Sequence, residues 1–503
     1  MLFNSYVFFL IFLPLFLISF SVIRSKGGAF AGNGCRWLIV IFSLLFYVPF
    51  GWQNLLVLAL SVTANAVLAW RIFQKRVEIE SAGTVDDDGN LRGQAPGLRT
   101  GGILLGGSVV ANVACLLAFK FGGVFFPIAI SFYTFNQVSF LVDLWRGETG
   151  FAGENGAGNG DGTGFDLLGY LSYILFFPKL IQGPLMGYKD FDAELEKSLT
   201  ARVDYEVLLR GLYLFSMGLF KKVILADTFG KAVNVGFDNV MGLGSLEAML
   251  VAVFYSFQLY FDFSGYCDMA AAVCMMMGFE LPLNFDSPYK AVNILDFWKR
   301  WHITLTKFFT RYIYIPLGGN RKGAARMYAN LMIVFLVSGL WHGTGWNFIV
   351  WGAMHGVLYV VTRWCKKDLP LPRLVKVALT FIYVTLAWVF FRAATVGDAI
   401  ALIGRMFTGG RKPIATALSS CFMLDELWYV IKVTPIMRWN FAWDVCLWLF
   451  VVFAVAAIFF ARNAIERAGE DAIGLKTTLL TGRLLVWSVV SFAGVSTFLY
   501  MNF

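Results

Sequence analysis

Charged residues are scarce in this chain of 503 residues, at 15% of the total, whereas soluble domains carry about 25%. So few charges cannot cover the surface of a water-soluble protein of this length. The hydrophobic residues, 58% of the chain, lie in blocks of roughly twenty, the length that crosses a hydrocarbon core of about 30 Å as a helix. The composition therefore excludes a string of soluble domains and predicts an all-α, polytopic membrane protein.

Metal-binding and hydrolase motifs are also missing. The seven cysteines include no C-x-x-C pair, and several lie inside apolar runs, where cysteine behaves as a small hydrophobic residue. Around the polar segments described below there is no G-x-x-x-x-G-K-[ST], H-E-x-x-H or G-x-S-x-G. Nucleotide hydrolysis, zinc proteolysis and serine hydrolysis therefore have no support. We expect neither a bound metal nor a bound cofactor.

The apolar blocks predict roughly ten to twelve helices in one membrane domain over residues 1–503. The first block, 6–23, lacks the basic start and small-residue cleavage site of a signal peptide, so we interpret it as a retained helix. No repeat at a fixed period is visible, and the segment 410–442 has no assignable pattern. The other blocks are 37–50, 54–70, 102–119, 124–144, 205–225, 245–280, 328–361, 374–391, 443–461 and 480–501.

The formal charge of +9 is distributed unevenly among the connections between these blocks. Lysine and arginine occur in 24–36 and crowd 72–101 but are absent from 50–54. Lys120 stands nearly alone at the fourth connection, and Arg146 begins the fifth. Loops rich in lysine and arginine stay in the cytoplasm. The alternation therefore predicts an extracytoplasmic N-terminus and cytoplasmic loops at 72–101 and 146–166, and the net charge does not indicate nucleic-acid binding.

Three segments do not fit a plain spanning helix. Residues 176–186 (FFPKLIQGPLM) are apolar but short and broken by proline and glycine, which predicts a re-entrant or interfacial turn buried in protein. Residues 296–315 predict an amphipathic helix along the membrane surface, with one apolar and one basic stripe. Residues 328–361 are interrupted by a glycine-rich stretch at 338–345, which predicts a broken helical hairpin whose break lines a cavity.

Two of the only three histidines lie in these irregular segments. His342 is in the interruption at 338–345, and His302 is in the amphipathic segment. Imidazole titrates near neutral pH and is the most common general base, and an ionisable group at membrane depth is a functional candidate by default. The alternative is that a histidine only forms hydrogen bonds in the helix packing, which is our interpretation of His355.

Two carboxylates occur within the segment LYFDFSGYCDM of the apolar block 245–280. They are costly in a membrane unless paired or solvated. Asp262, together with Tyr266, is a candidate for lining a polar tunnel or orienting a histidine. The alternative is that Asp262 and Asp268 are capping and bridging groups at a helix break around Gly265.

Five phrases of the sequence together resemble the membrane-bound O-acyltransferase family, and in particular its bacterial branch. They are FPKLIQGP (177–184), YFDFSGYCDMA (260–270), FWKRWHITL (297–305), YIPLGGNR (314–321) and LWHGTGWNFIVWGAMHG (340–356). The opening MLFNSYVFFLIFLPLF is also similar, and the likeness follows the same order over most of residues 1–400. That branch includes the membrane subunit of alginate O-acetylation and relatives that act on cellulose, peptidoglycan and teichoic acid.

The resemblance implies catalytic roles for His342, which matches the family's W-H-G motif, and for His302, which matches its R-W-H-x-[ST]-L motif. It also implies a tilted ring of helices around a thin centre, with a central tunnel that donor and acceptor enter from opposite sides. The candidate substrate-binding residues are Asp262, Tyr266, Gln182, Lys299, Arg300, Asn320, Arg321, Trp341 and Asn347.

The implied reaction moves an acetyl group from cytoplasmic acetyl-CoA to an extracytoplasmic hydroxyl of an exopolysaccharide or cell-wall glycan. The basic residues Lys299, Arg300 and Arg321 are expected to attract the donor's phosphates. Relatives in this branch typically work in the bacterial cytoplasmic membrane with an extracytoplasmic partner whose serine carries the acetyl group to the polysaccharide. The expected partners are therefore membrane lipid, such an acetyltransferase and a glycan, with no nucleic acid.

Three alternatives remain open from the sequence. The first is D-alanyl transfer to teichoic acid from a carrier-protein thioester. The second is a transporter in which His342, Asp262 and Asp268 form a proton or substrate path, although it predicts paired broken helices in both halves of the chain and only one clear break is visible. The third is a non-catalytic scaffold of a polysaccharide synthase, which would tolerate the loss of His342.

Overall fold

The computed structural model of the chain describes residues 1–81, 96–123, 125–150, 164–366, 369–424, 432–435, 439, 441–494 and 498–499. Every regular element in these residues is a helix, which confirms the predicted all-α class. Eight of the helices are long and apolar enough to cross a membrane, and a shorter apolar helix covers Phe8–Arg24. The ring of helices and the central tunnel stay predictions. The chain forms two compact units, which we describe separately.

Unit 1 comprises Met1–Gly211 and Ala270–Pro282. Three of its helices are joined by buried amides, since the side chain of Asn65 contacts those of both Asn112 and Gln137 within 3.1 Å. Such amide contacts hold helices together where no water is available. Its helices are α1 (Leu13–Arg24), α2 (Gly28–Tyr47), α3 (Trp52–Ser81), α4 (Pro96–Phe121), α5 (Ile130–Arg146), α6 (Leu167–Leu175), α7 (Phe177–Leu180), α8 (Tyr188–Thr200) and the first part of α9 (Tyr205–Phe220).

The polar connection between α3 and α4 is shorter than the predicted loop 72–101. Helix α3 continues to Ser81, and α4 begins at Pro96. The helix continues past residue 71 because Arg76 pairs with Glu80 one turn later, at 2.6 Å, and because buried apolar residues recur at helical spacing on one face. The loop 146–166 begins where predicted, at the end of α5.

The segment 176–186 lies inside unit 1. It contains only the short helix α7, and its residues are buried except Leu185, which is half-buried. The ring of Phe177 is surrounded by six other phenylalanine rings, with centroids 5.0–6.5 Å away. The prediction that this irregular backbone is covered by protein is therefore confirmed, and its depth in the membrane stays a prediction.

Unit 2 comprises Leu212–Met269 and Leu283–Met501, and its core is an aromatic cluster that contacts all three histidines. Helix α11 (Ser245–Met277) begins in this unit. The other helices of unit 2 are α10 (Asp227–Asp238), α12 (Ile294–Arg300), α13 (Ile303–Phe309), α14 (Ala324–His342), α15 (Trp346–Cys365), α16 (Arg373–Arg392), α17 (Val396–Thr408), α18 (Thr416–Ser419), α19 (Ala442–Phe459), α20 (Ala464–Glu470) and α21 (Leu475–Val490).

Helices α14 and α15 form the interrupted hairpin that the sequence predicts. Glycines allow their backbones to approach closely: a side chain at Gly352 would meet the Phe335 carbonyl oxygen at 2.5 Å, which is the small-residue packing common between membrane helices. The interruption covers only 343–345 rather than 338–345, because the residues up to His342 stay helical. Each arm is long enough to be a candidate membrane span.

The prediction of one amphipathic helix over 296–315 is wrong. The helix stops at Arg300, restarts at Ile303, and continues from Thr310 to Tyr314 as a π-helix. The break occurs at His302, whose φ of 44° lies in the left-handed region, which a residue with a side chain adopts at a cost in free energy. The side of the segment that faces the core is as predicted, with Trp301 and Leu305 buried and Lys307 exposed.

Candidate active site

His342 is the last residue of α14 and is buried in a wall of aromatic rings. Its ring lies edge-on to Trp351 of α15, with centroids 5.1 Å apart, and to Phe391 of α16, at 4.9 Å. The ring of Trp341, the preceding residue, lies next to that of Phe309 of α13, with centroids 6.4 Å apart. The turn at 343–345 therefore presents His342 to the core of unit 2, next to the helix that follows His302.

His302 is buried between the ends of α12 and α13, and one asparagine fixes its position. Its Nδ1 atom lies 3.1 Å from Oδ1 of Asn284, and its ring stands perpendicular to that of Phe263 on α11, with centroids 4.8 Å apart. The backbone carbonyl of Asn284 accepts a hydrogen bond from the N–H of Ile303 at 3.0 Å. These contacts hold the left-handed turn that interrupts the amphipathic segment.

His302 lies outside the eight candidate spans, and burial determines its charge. Removal from water disfavours the imidazolium ion and lowers the pKa of His302 to about 3. The ring is therefore neutral near pH 7, and a neutral imidazole can accept a proton at the nitrogen that carries its lone pair.

His355 is a third buried histidine in the same core. Its ring lies 5.0 Å from that of Trp351 and 5.1 Å from that of Trp298, so Trp351 separates His355 from His342. Among the residues that the structure describes, neither ring nitrogen of His355 has a hydrogen-bond partner. The hydrogen-bonded packing role that we predicted for His355 is therefore wrong, and its ring packs against aromatic rings instead.

Asp262 and Asp268 of α11 are both paired with lysines. Lys221 lies 2.6 Å from Asp268, and Lys222 lies 2.8 Å from both Asp262 and Asp227. The second oxygen of Asp262 accepts a hydrogen bond from the N–H of Leu499 at 3.0 Å. Pairing of this kind is what permits charge in a membrane interior, and it favours the bridging interpretation of Asp262 and Asp268.

The helix break expected around Gly265 is absent, because α11 is continuous through it. Gly265 instead packs against Gly218 of α9, where an added side chain would meet the opposite carbonyl oxygen at 2.7–2.8 Å. This close approach brings the end of α9 beside α11 and places the two lysines against the carboxylates. Lys221 and Lys222 were not predicted from the sequence, although two acids in an apolar segment require cations and this lysine pair interrupts the apolar block 205–225.

The other candidate residues divide into exposed and buried groups. Lys299, Asn320 and Arg321 are exposed, and Arg300 is paired with Asp296 at 2.8 Å and with Asp286 at 3.0 Å.

The buried candidates have different surroundings. Asn347 donates hydrogen bonds to the carbonyls of Phe390 and Ala393 at the end of α16. Tyr266 stands edge-on to Phe498, with centroids 5.2 Å apart. Gln182 belongs to unit 1, where neither amide atom has a hydrogen-bond partner among the described residues. No group of three or more His, Cys, Asp or Glu side chains in the described part of the chain is arranged to hold a metal ion.

The known proteins that this chain is similar to are acyltransferases. The model of the membrane-bound O-acyltransferase family matches residues 112–396, which include all three histidines. The peptidoglycan O-acetyltransferase of Helicobacter pylori is 35% identical, over 81% of this chain and 80% of its own. A probable alginate O-acetylase of Pseudomonas fluorescens is 34% identical, over 82% and 76%. The teichoic acid D-alanyltransferase of Bacillus subtilis is 30% identical, over 44% and 60%.

Proposed function

The chain belongs to the membrane-bound O-acyltransferase family, and from this premise we propose that it transfers an acetyl group from cytoplasmic acetyl-CoA to an extracytoplasmic hydroxyl of an exopolysaccharide or cell-wall glycan. The observation that carries the proposal is the burial of His342 and His302 in one aromatic core, at two of the five phrases through which the sequence resembles the family. The similarity to O-acetyltransferases over four fifths of the chain supports acetyl as the acyl group.

In the proposed reaction His342 is the general base. It takes the proton from the acceptor hydroxyl, whose oxygen attacks the thioester carbonyl, and the carbon–sulfur bond breaks to release the thiolate of coenzyme A. His302 either orients the thioester or gives a proton to the departing thiolate. The aromatic walls around both histidines exclude water, which protects the thioester from hydrolysis.

The proposed donor is anionic, and the segment 299–326 carries the charge to attract it. The segment contains seven lysines and arginines and no aspartate or glutamate. Lys299, Arg321 and Lys322 are exposed, and exposed charge of one sign raises the local concentration of a ligand of the opposite sign. Arg300 contributes less, because two carboxylates already neutralise it.

We infer the class of acceptor from the similar proteins, which act on alginate and peptidoglycan. We propose a location in the bacterial cytoplasmic membrane and an extracytoplasmic acetyltransferase partner whose serine carries the acetyl group onward. A second candidate is D-alanyl transfer from a carrier-protein thioester, which the similarity to teichoic acid D-alanyltransferases favours. That similarity covers less than half of the chain, whereas the O-acetyltransferases match over four fifths of it.

The test is acetyl transfer by purified protein in nanodiscs, with radiolabelled acetyl-CoA and oligosaccharides of alginate or peptidoglycan as acceptors. We expect the wild-type protein to release the thiol and label the glycan. We expect His342→Ala to transfer acetyl at least about 10²-fold more slowly, which is the usual contribution of a general base. His355→Phe is the matched control, because it removes a buried imidazole from the same aromatic core without touching His342. A wild-type protein that uses only a D-alanyl carrier-protein thioester would overturn the acetyl-CoA proposal.

A further inference from the structure

Asn284 connects three parts of unit 2 around His302. It is buried and lies between α11 and α12. Its side-chain oxygen is within 3.1 Å of Nδ1 of His302 and 3.0 Å of the Thr304 hydroxyl, and it accepts the N–H of Thr304 at 3.3 Å. Its side-chain nitrogen faces the Cys267 sulfur at 3.4 Å.

The backbone N–H of Thr304 fixes which amide atom faces His302. An N–H group can only donate, so the atom it meets must be the amide oxygen, and the amide nitrogen must then point to the Cys267 sulfur, a weak acceptor. A reversed amide would set its NH₂ group against the Thr304 N–H, donor against donor. The oxygen that faces His302 is therefore an acceptor.

An amide oxygen that faces an imidazole nitrogen requires a proton on that nitrogen. Because Oδ1 of Asn284 only accepts, Nδ1 of His302 must donate, and in a neutral ring the lone pair then lies on Nε2. In water, neutral histidine carries its proton mostly on Nε2, so this arrangement reverses the ordinary preference. The partner of one ring nitrogen decides the state of the other.

We propose that Asn284 is a positioning residue that holds neutral His302 with its proton on Nδ1 and presents the Nε2 lone pair for acyl transfer. The left-handed turn at His302 serves the same purpose, because the Asn284 carbonyl also accepts the N–H of Ile303 and so fixes the backbone on which the ring is mounted. One asparagine therefore sets the position, the orientation and the protonation of the histidine, as the third member of a nucleophile–base–orienter set does.

This protonation state, taken together with the proposed function, determines the direction of proton transfer at His302. With Nδ1–H engaged by Asn284, Nε2 can accept a hydrogen bond or a proton, and it has none to give. His302 can therefore protonate the departing thiolate only after Nε2 has itself taken up a proton within the same turnover. The ring starts each cycle as an acceptor.

The first experiment reads the protonation of His302 without any enzymatic assay. The chain has only three histidines, so protein labelled with ¹⁵N-histidine in nanodiscs gives three sets of ring signals, which His302→Gln and His355→Phe assign. We expect wild-type His302 to carry its proton on Nδ1 and Asn284→Ala to shift the proton to Nε2. Thr304→Val is the matched control, because it removes a neighbouring hydrogen bond to the same oxygen and keeps the His302–Asn284 contact. A wild-type signal with the proton on Nε2, or an unchanged signal in Asn284→Ala, would overturn the proposal.

The second experiment separates positioning from structural support. In the acetyl-transfer assay we expect Asn284→Ala to lower kcat by about 10²-fold with little change in KM for acetyl-CoA, and Asn284→Asp to recover most of kcat because a carboxylate also accepts from Nδ1. Equal losses in Asn284→Ala and Asn284→Asp would contradict the positioning role and indicate a structural one. If wild type transfers no acetyl group while its His302 still carries the proton on Nδ1, the proposed function fails and the assignment of Asn284 as the residue that fixes the proton stands.

Discussion

Lys222 lies at the centre of a buried ion cluster in unit 2. Its ammonium group meets two buried carboxylates, Asp227 and Asp262, and all three side chains are almost fully removed from solvent. Removal of one partner from a buried ion pair leaves an uncompensated charge, which is far more costly than the pair itself is stabilising. The cluster is therefore sensitive to a change at the lysine.

We predict that Lys222→Met lowers the free energy of unfolding by about 3–5 kcal/mol, because two carboxylates lose their cation. The measurement is denaturant unfolding of the purified protein in detergent micelles. Lys222→Arg is a control that keeps the charge. A loss below about 1 kcal/mol would mean that water or another cation reaches these carboxylates.

Lys179 is the matched comparison, a second buried lysine with different neighbours. Its amine contacts Oδ1 of Asn136 at 3.3 Å and lies over the ring of Tyr173 at 3.4 Å, and no carboxylate in the described residues pairs with it. Burial lowers the pKa of Lys179 well below its ordinary value. Lys179→Met therefore leaves no charge behind, and we expect it to change the free energy of unfolding by less than about 1.5 kcal/mol in the same assay.

The charge of His302 gives a prediction about pH. Burial lowers the pKa of its ring to about 3, below the value of about 6.5 in an unfolded chain. The folded state then binds fewer protons at this site, so the contribution of His302 to stability is complete above pH 6.5 and decreases as the pH falls toward 3. In the ¹⁵N-histidine spectrum we expect the His302 signals to remain those of a neutral imidazole from pH 7.5 to pH 5. A titration midpoint near pH 6 would contradict the lowered pKa of His302.

These residues show what a sequence can reveal. His342 and His302 stand out because the chain has only three histidines and these two lie in irregular segments, where an ionisable group is a functional candidate. Asn284 and the lysine pair do not stand out, because their importance lies in which residues they meet after folding. The lysines are 40 and 47 positions away from their acids, and no periodicity along the chain encodes such a distance.

The pairing of helices α9 and α11 depends on two glycines. A side chain at Gly218 would meet the Gly265 carbonyl oxygen at 2.7 Å and Cγ of Met269 at 2.9 Å, so the helices would have to separate. Separation would also stretch the contacts from Lys221 and Lys222 to the carboxylates of α11.

We predict that Gly218→Ala lowers the free energy of unfolding by about 1–3 kcal/mol, the usual cost of overpacking. Gly404→Ala is the matched control, because Gly404 lies inside helix α17 with no atom within 4 Å of an added side chain. There the substitution should raise stability by about 0.5–1 kcal/mol through helix propensity. If both variants behaved alike, the close approach of the two helices would be in doubt.

Two irregular segments were predicted from their glycine and proline content, whereas the break at His302 was not predicted. Glycines and prolines marked the turn at 343–345 and the segment 176–186, because these residues disfavour a continuous helix. The break at His302 carries no such residue. Its sequence has helical periodicity, and the tertiary contacts of Asn284 impose the left-handed turn on it.

The number of membrane crossings also shows the limit of counting apolar blocks. Ten to twelve helices were expected, and eight described helices meet the length and composition of a span. The block 124–144 became α5, with 17 residues. At 1.5 Å per residue this helix reaches only about 26 Å, and it buries most of its residues, polar ones included. A block that is apolar because it is buried in protein looks the same in sequence as one that faces lipid.

The orientation of the whole chain in the membrane can be tested at the two ends of helix α2. This helix and the turn after it form a candidate span, Gly28–Phe50, of 23 residues, or about 34 Å at 1.5 Å per residue, so Lys26 and Gln53 should lie on opposite sides. Arg24 and Lys26 precede α2, whereas the connection 50–54 that follows it has no lysine or arginine. Because positively charged loops stay in the cytoplasm, Lys26 is expected on the cytoplasmic side.

The test uses Lys26→Cys and Gln53→Cys in a chain whose seven native cysteines are replaced, since Cys115 and Cys365 are exposed. Both positions are exposed, so access to a reagent depends on the side of the membrane and not on packing. With a membrane-impermeant maleimide and spheroplasts, we expect Gln53→Cys to react in intact spheroplasts and Lys26→Cys only after lysis. The reverse pattern would contradict the predicted extracytoplasmic N-terminus. Equal reaction at both positions would mean that α2 does not cross the membrane at all.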